Sequence, residues 1–232
     1  TLSNPTHETV TVSIDGTTGS ASEGSDFAVV SDIEITTGNT TGTATFNPTV
    51  DSLYDATSAE TAVIAISGVS GGDASESGTQ TASISITDGD SAPTVTITSS
   101  ASTVGEDGSD LTLTATLSVR TYAQVIVAID GTSGSATEGT DFATVNNINI
   151  YAGNTSGVTT FNPTDDSLYD AATNEAAVIA ISGVSGGSAT ELESQSVSVT
   201  LIESQSAPTV TLTSSASDAT EDGDNLTITG TL

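Results

Sequence analysis

One stretch of this chain occurs twice. DSLYDATSAETAVIAISGVSGG at 51–72 returns as DSLYDAATNEAAVIAISGVSGG at 166–187, displaced by 115 residues without a gap. A period of that length suits one compact domain per repeat, not the roughly 20–50-residue units of a solenoid. In each copy three acids, Asp51, Asp55 and Glu60 or Asp166, Asp170 and Glu175, precede an apolar run whose Val and Ile content reads as a strand.

The surrounding sequence is rich in Thr and Ser, a composition shared with disordered linkers, but its periodicity argues for a fold. Val10, Val12 and Ile14 alternate with Thr11 and Ser13, and Leu111, Leu113, Ala115 and Leu117 alternate with Thr. Val197, Val199 and Leu201 repeat the pattern. Alternation of this kind places apolar residues on one face of a half-buried antiparallel sheet, with Thr as a strand-forming outer face. No window carries a helical apolar stripe. The expected class is therefore all-β, a tandem series of antiparallel β-sandwich domains.

Strands are expected in 1–15 and near 32–36, 41–46, 62–67 and 82–87, with a Gly/acid loop at 18–27. DGDSAP at 88–93 forms a boundary, with Pro93 interrupting the sheet. The next unit has seven expected strands, at 94–99, 111–118, 123–129, 146–150, 156–161, 177–182 and 195–202. Phe142, Phe161 and Tyr169 are expected to supply its large core side chains, repeating Phe27, Phe46 and Tyr54. A third copy starts at SAPTVTLTSS, 206–215. The division is thus 1–92, a sandwich without its first two strands; 93–205, a complete sandwich; and 206–232, the first two strands of a third repeat. Either the sequence is a window on a longer tandem array, or 206–232 completes the open unit of a neighbouring copy.

Charge limits the partners. Thirty acids face one Arg, Arg120, with no Lys and a single His7, for a formal net charge of −29. Such a chain repels nucleic acid backbones and anionic membranes, and itself, unless salt or cations intervene. There is no Cys, no apolar run long enough to span a bilayer and no signal segment, so neither disulfides nor direct membrane insertion is expected. Catalysis finds little chemistry to use. Without Cys or Lys, and with one His that reads as a strand or terminal side chain, nucleophilic and histidine acid–base mechanisms lack their groups. A glycosidase pair would need aromatic sugar platforms, and the chain has no Trp. NTT at 39–41, NTS at 154–156 and NLT at 225–227 have the acceptor form for glycans at Asn39, Asn154 and Asn225.

The order EDG at 106–108, GSATEGTDF at 134–142, DDSLYD followed by Glu175, and an acid just after the last strand resembles the Calx-beta family, found in sodium–calcium exchangers and in tandem in large bacterial surface proteins. The resemblance covers 93–205 and, without the leading strands, 1–92. It implies a seven-stranded, immunoglobulin-like sandwich binding calcium through carboxylates of several loops at one end. Carried across, the ligand candidates are Glu106, Asp141, Asp166, Asp170, Glu175 and Glu203 in the complete unit. In the first they are Asp26, Asp51, Asp55, Glu60, Asp88 and Asp90. The first unit has no counterpart of Glu106, which Glu221 can supply only from another copy or repeat. Glu23 and Glu138 lie one turn away from this set.

The residues agree with that implication on chemical grounds. Calcium takes roughly six to eight oxygens in a flexible arrangement, and acids with almost no cationic partner need metal, salt or protonation where they converge. Solvated loop acids are the alternative. The functional expectation is an extracellular, non-enzymatic structural repeat forming a calcium-stiffened spacer or fibre with neighbouring copies. The second reading is an adhesive or calcium-sensing binding module of a surface protein.

Overall fold

The computed structural model describes residues 1–55, 59–169 and 174–232, and their regular structure is all-β. The first repeat contributes β1 (Val10–Gly19), β2 (Ile33–Ile35), β3 (Leu53–Tyr54), β4 (Glu60–Ser70) and β5 (Thr81–Ile86). Four of these form one antiparallel sheet in the order β2-β1-β4-β5. The expected strand in 1–15 begins only at Val10 and runs on through IDG to Gly19, into the expected loop.

The second repeat contributes β6 (Thr94–Ser99), β7 (Thr103–Gly105), β8 (Leu111–Leu117), β9 (Arg120–Thr121) and β10 (Val125–Gly134). It continues with β11 (Ile148–Ile150), β12 (Ser156–Phe161), β13 (Glu175–Ser185), β14 (Thr190–Glu191) and β15 (Ser196–Ile202). These build two sheets, β11-β10-β13-β15-β7 and β12-β8-β6-β14. Their inner faces close on one core, with Val95, Leu113 and Leu117 from one sheet meeting Val127, Ile179, Val199 and Leu201 from the other. Alternation in the sequence fixes this: Val95, Leu113, Leu117, Val127, Ile179 and Val199 are each followed by Thr, Ser or Ala. The short β7 and β14 join in parallel with β15 and β6, an addition that periodicity over two or three residues does not reveal. A separate hairpin of β16 (Thr211–Ser214) and β17 (Ile228–Thr231) follows.

Both repeats share a local device. The pairing of β1 with β4 shifts register at Ser13/Ile14 and Asp15/Thr18, and β10 with β13 shifts at the equivalent places. Beside the second shift sit Gly16 and Gly131, where an added Cβ would come within 2.7 Å of the Phe27 ring and 2.8 Å of the Phe142 ring. The missing side chain lets each Phe lie flat on its strand and stack on Phe46 or Phe161, at centroid distances of 4.9 and 5.0 Å.

The repeats then diverge. Residues 156–161 form β12 by pairing with β8 along six positions, whereas 41–46, expected as a strand, forms none. Among the described residues no strand pairs with 41–46 as β8 pairs with β12. The same difference loosens the core. Phe161, Val199 and Leu201 are fully buried, while their equivalents Phe46, Ile84 and Ile86 are only half-buried. Tyr169 is exposed, not a core residue as its spacing implied. Among the described residues no helix is long and apolar enough to cross a membrane.

Candidate metal centre

Each acid loop is shaped by its own carboxylates. Asp51 Oδ1 accepts from Leu53 N at 3.0 Å and Asp166 Oδ1 from Leu168 N at 2.8 Å. The intervening Ser52 and Ser167 adopt φ of 58° and 61°, so both loops make the same Asx-type turn through a left-handed residue. The turn spends one oxygen of each Asp on the backbone and leaves the other to face outward.

In the first unit the loop opens on a cleft of about 330 Å³ lined by Asp26, Asp51, Asp55, Glu60, Asp88 and Asp90, all six first-unit candidates. Asp88 spans its rim, with Oδ2 accepting from Asp55 N at 2.6 Å and Oδ1 from Asp90 N at 2.8 Å. Asp26 Oδ2 accepts from Ser22 N at 2.5 Å. Partial burial raises the Glu60 carboxyl above its ordinary value, and Asp26, Asp55 and Asp51 push it in the same direction. The cleft therefore favours a proton or another cation over bare repulsion.

The far wall comes from the second unit. Leu53 and Tyr54 pair in parallel with Arg120 and Thr121, and Tyr122 N donates to Tyr54 O at 3.3 Å. The Tyr122 hydroxyl reaches Asp51 Oδ2 at 3.4 Å, and its own ionisation is raised by partial burial and then by Asp51, Asp26 and Glu60. No sequence signal singled out Tyr122, because the equivalent position of the first repeat holds His7, an exposed residue.

The second cluster gathers around Glu106. Its carboxyl is raised by partial burial first, then by Glu203, Asp166, Asp165 and Glu175. Glu106 N donates to Ile202 O at 3.1 Å, which fixes the EDG loop to the end of β15. Two residues join this group that the sequence reading passed over. Gln205 Nε2 donates to Asp165 Oδ1 at 2.6 Å, and Gln205 N donates to Glu203 Oε1 at 2.7 Å. The Gln205 Oε1 atom is buried without a hydrogen-bond partner, a neutral acceptor on a side chain whose Nε2 holds Asp165.

The remaining candidates are placed differently. Asp141 is not among the acids acting on Glu106; its Oδ2 accepts from Thr137 N at 2.6 Å. Glu221 is exposed in the loop between β16 and β17, away from both clusters. Asp170 lies outside the described residues. Glu23 and Glu138 cap loops, accepting from Val30 N at 2.8 Å and Val145 N at 2.7 Å. Among the described residues no three acids stand as a ready coordination group. The donor chemistry nevertheless fits a hard cation: six carboxylates and no Lys or Arg line the first cleft, and the second cluster adds the Gln205 amide to its carboxylates. The sequence has no Cys and no Lys, and its single His, His7, is exposed, so the side chains of thiol, amine and buried-histidine chemistry are not among the groups of these clusters.

No protein-family model matches the chain, and no curated protein matches it significantly. Among solved structures it is similar to one described as CBD12 from CALX1.2, at 14% identity over 84% of this chain and 88% of that chain, with a TM-score of 0.40. A second, the calcium binding domain CBD12 of CALX1.1, is 16% identical over 76% of this chain and 69% of that chain, with a TM-score of 0.33. The chain's own architecture is an all-β tandem of sheets with carboxylate clusters at the ends of its strands.

Proposed function

We propose that this chain is a non-enzymatic, calcium-responsive binding module of Calx-beta type, built of immunoglobulin-like sandwich units at 1–92 and 93–205 with the start of another at 206–232. The observation that supports it most directly is the cleft at the first unit's acid loop. Six acids of one unit line it, and Tyr122 of the other unit reaches into it through Asp51. Asp51, Asp55, Glu60 and Asp88, with Asp26 and Asp90 at the rim, would hold the ion there. Glu106, Asp165, Asp166, Glu175, Glu203 and Gln205 would hold it in the second cluster. A bound cation would neutralise carboxylates that otherwise repel, and because β9 closes the first cleft, occupancy would set how firmly the two units are joined.

The charge of −29 suits an extracellular setting rich in calcium or salt. Glycans at Asn39, Asn154 and Asn225 belong to the same reading, since all three are exposed. A passive spacer stiffened by permanently bound ions is the second reading, favoured by the tandem repeat itself. Affinity separates them: a sensor saturates at roughly micromolar calcium and a spacer site near millimolar. Titration calorimetry on chelator-treated protein, together with thermal melts, tests both. At about a hundredfold excess over the dissociation constant, calcium should add about 2.7 kcal/mol of stability. Identical melts in chelator and in millimolar calcium reject calcium binding.

A further inference from the structure

The two repeats share their inward residues along one strand pair and differ in charge on its outer face. Ile126 stands opposite Asn149, and the flanking Val125, Val127, Ile148 and Ile150 are buried. Gln124, Ile126 and Ala128, on or beside β10, therefore share the outer face with Asn147, Asn149 and Tyr151, on or beside β11. Gln124 Nε2 donates to Asn149 Oδ1 at 3.0 Å across it. The equivalent face of β1 and β2 carries Thr9, Thr11, Ser13, Asp32, Glu34 and Thr36, with Ser13 Oγ donating to Asp32 Oδ2 at 3.0 Å. Where the first repeat has two acids the second has two asparagines, and where it has Thr11 and Thr36 the second has Ile126 and Tyr151, 38 and 63% exposed. In a chain with 30 acids this is an uncharged face with an exposed aromatic ring. Packing does not require it, since the first repeat pairs the same strands without these residues.

We propose that this outer face of β10 and β11 binds a neutral carbohydrate chain. A pyranose ring presents a C–H face that packs on a tyrosine ring, and hydroxyls that both donate and accept. Tyr151 offers the ring and Ile126 an apolar floor. The bond between the two amides leaves Gln124 Oε1 as an acceptor and Asn149 Nδ2 as a donor, neither with another partner among the described residues. On the neighbouring β13, Ser185 stands opposite Ile126 and Gly183 opposite Ala128, so small side chains leave the sheet open to an extended ligand. Charge and size argue against other occupants. A net charge of −29 repels acidic sugars, nucleic acid and a second copy, and a basic partner finds its carboxylates elsewhere on the surface. A standard protein interface takes roughly 20–30 residues a side, several times this patch.

The site gives a ligand class to the binding-module part of the proposed function, on which it rests, and does not depend on the calcium part. An NMR titration of the isotope-labelled full chain in chelator tests it, with neutral hexasaccharides of glucose, mannose and N-acetylglucosamine, and a galacturonic acid hexasaccharide as the anionic control. At least one neutral sugar should shift the amide signals of 124–126 and 149–151, and the acidic one should not. Tyr151→Thr and Asn149→Glu each install the residue that the first repeat carries at that place, so both suit the fold. Together they should weaken binding at least roughly tenfold. No shift with any of the neutral sugars, or shifts of unchanged midpoint in the double variant, overturns the proposal. Shifts of the same signals on concentrating the protein alone assign the face to a second copy and overturn it as well. Because the titration is run in chelator, its failure leaves the calcium reading standing, and calcium melts without effect leave the sugar site standing.

Discussion

The two repeats carry the same aromatic pair in unequal surroundings, so one substitution made in each measures what the missing sheet contributes. Phe161 is fully buried and stacks on Phe142 at 5.0 Å; Phe46 is half-buried and stacks on Phe27 at 4.9 Å. The ring–ring contact is common to both and cancels. What remains is the cover that β6 and β8 lay over Phe161. Removing a fully buried Phe side chain costs about 3–5 kcal/mol, so Phe161→Ala should take that from the second unit. Phe46→Ala, which vacates space already open to water, should cost roughly half. About 1 kcal/mol moves the midpoint of a domain this size by roughly 4–8 °C, which puts the Phe161 change at about 12–40 °C and the Phe46 change near half of that. Scanning calorimetry in chelator resolves the difference. Equal losses at the two sites would refute the claim that the first unit's core is open.

Other perturbations probe the loops and the clusters. Gly131→Ala places a Cβ 2.8 Å from the Phe142 ring, so it should cost about 1–3 kcal/mol by overpacking; an unchanged calorimetric midpoint would contradict the role given to this glycine. Gln205→Ala removes the buried, unpartnered carbonyl oxygen from the second cluster and should weaken its calcium affinity roughly tenfold in titration calorimetry, leaving the first cleft unchanged. Glu60 and Glu106 hold their protons more tightly folded than unfolded, because burial and neighbouring acids raise them from 4.5. Their contribution is therefore complete below that value and lost as pH rises through the folded one, so chelated protein should melt higher as pH is lowered from neutral toward 4.5. A midpoint that falls across that window, followed by circular dichroism, would contradict the sign.

Much of this was legible in the residues. The strict alternation at 111–117 and 197–201 marked strands and their inward faces, because a period of two leaves no other regular element. The acids of the 51–60 loop and of DGD at 88–90 were legible as one group, since they bracket a single strand pair. Pairing was not. The segment 41–46, TGTATF, keeps the Gly, the second Thr and the Phe of 156–161, SGVTTF, yet pairs with no strand among the described residues, a difference that lies outside the segment itself. Tyr122 and Gln205 escaped for a related reason. Each differs from its repeat equivalent, and repeat equivalence was the signal that selected the other residues. Asp141, in GSATEGTDF, closes its own turn on Thr137 N, as its equivalent Asp26 does on Ser22 N at the edge of the first cleft.

The two clusters are built from the same loop and yet are not equivalent, and the difference has a single cause. They draw on three consecutive kinds of chain segment: a leading EDG loop, the repeat's own acid loop, and the segment that opens the following unit. In the first cleft the third is in place, and Leu53 and Tyr54 are half-buried against Arg120–Tyr122. In the second the leading loop is in place through Glu106, and Leu168 of the acid loop stands 68% exposed. On the proposed reading, cation affinity is then a property of neighbours as much as of ligands. A leading hairpin adds charge to the site and a following unit excludes water from it. An ion bound where both are present is held by three pieces of structure at once, and its binding energy becomes part of what keeps successive units, or successive copies, together.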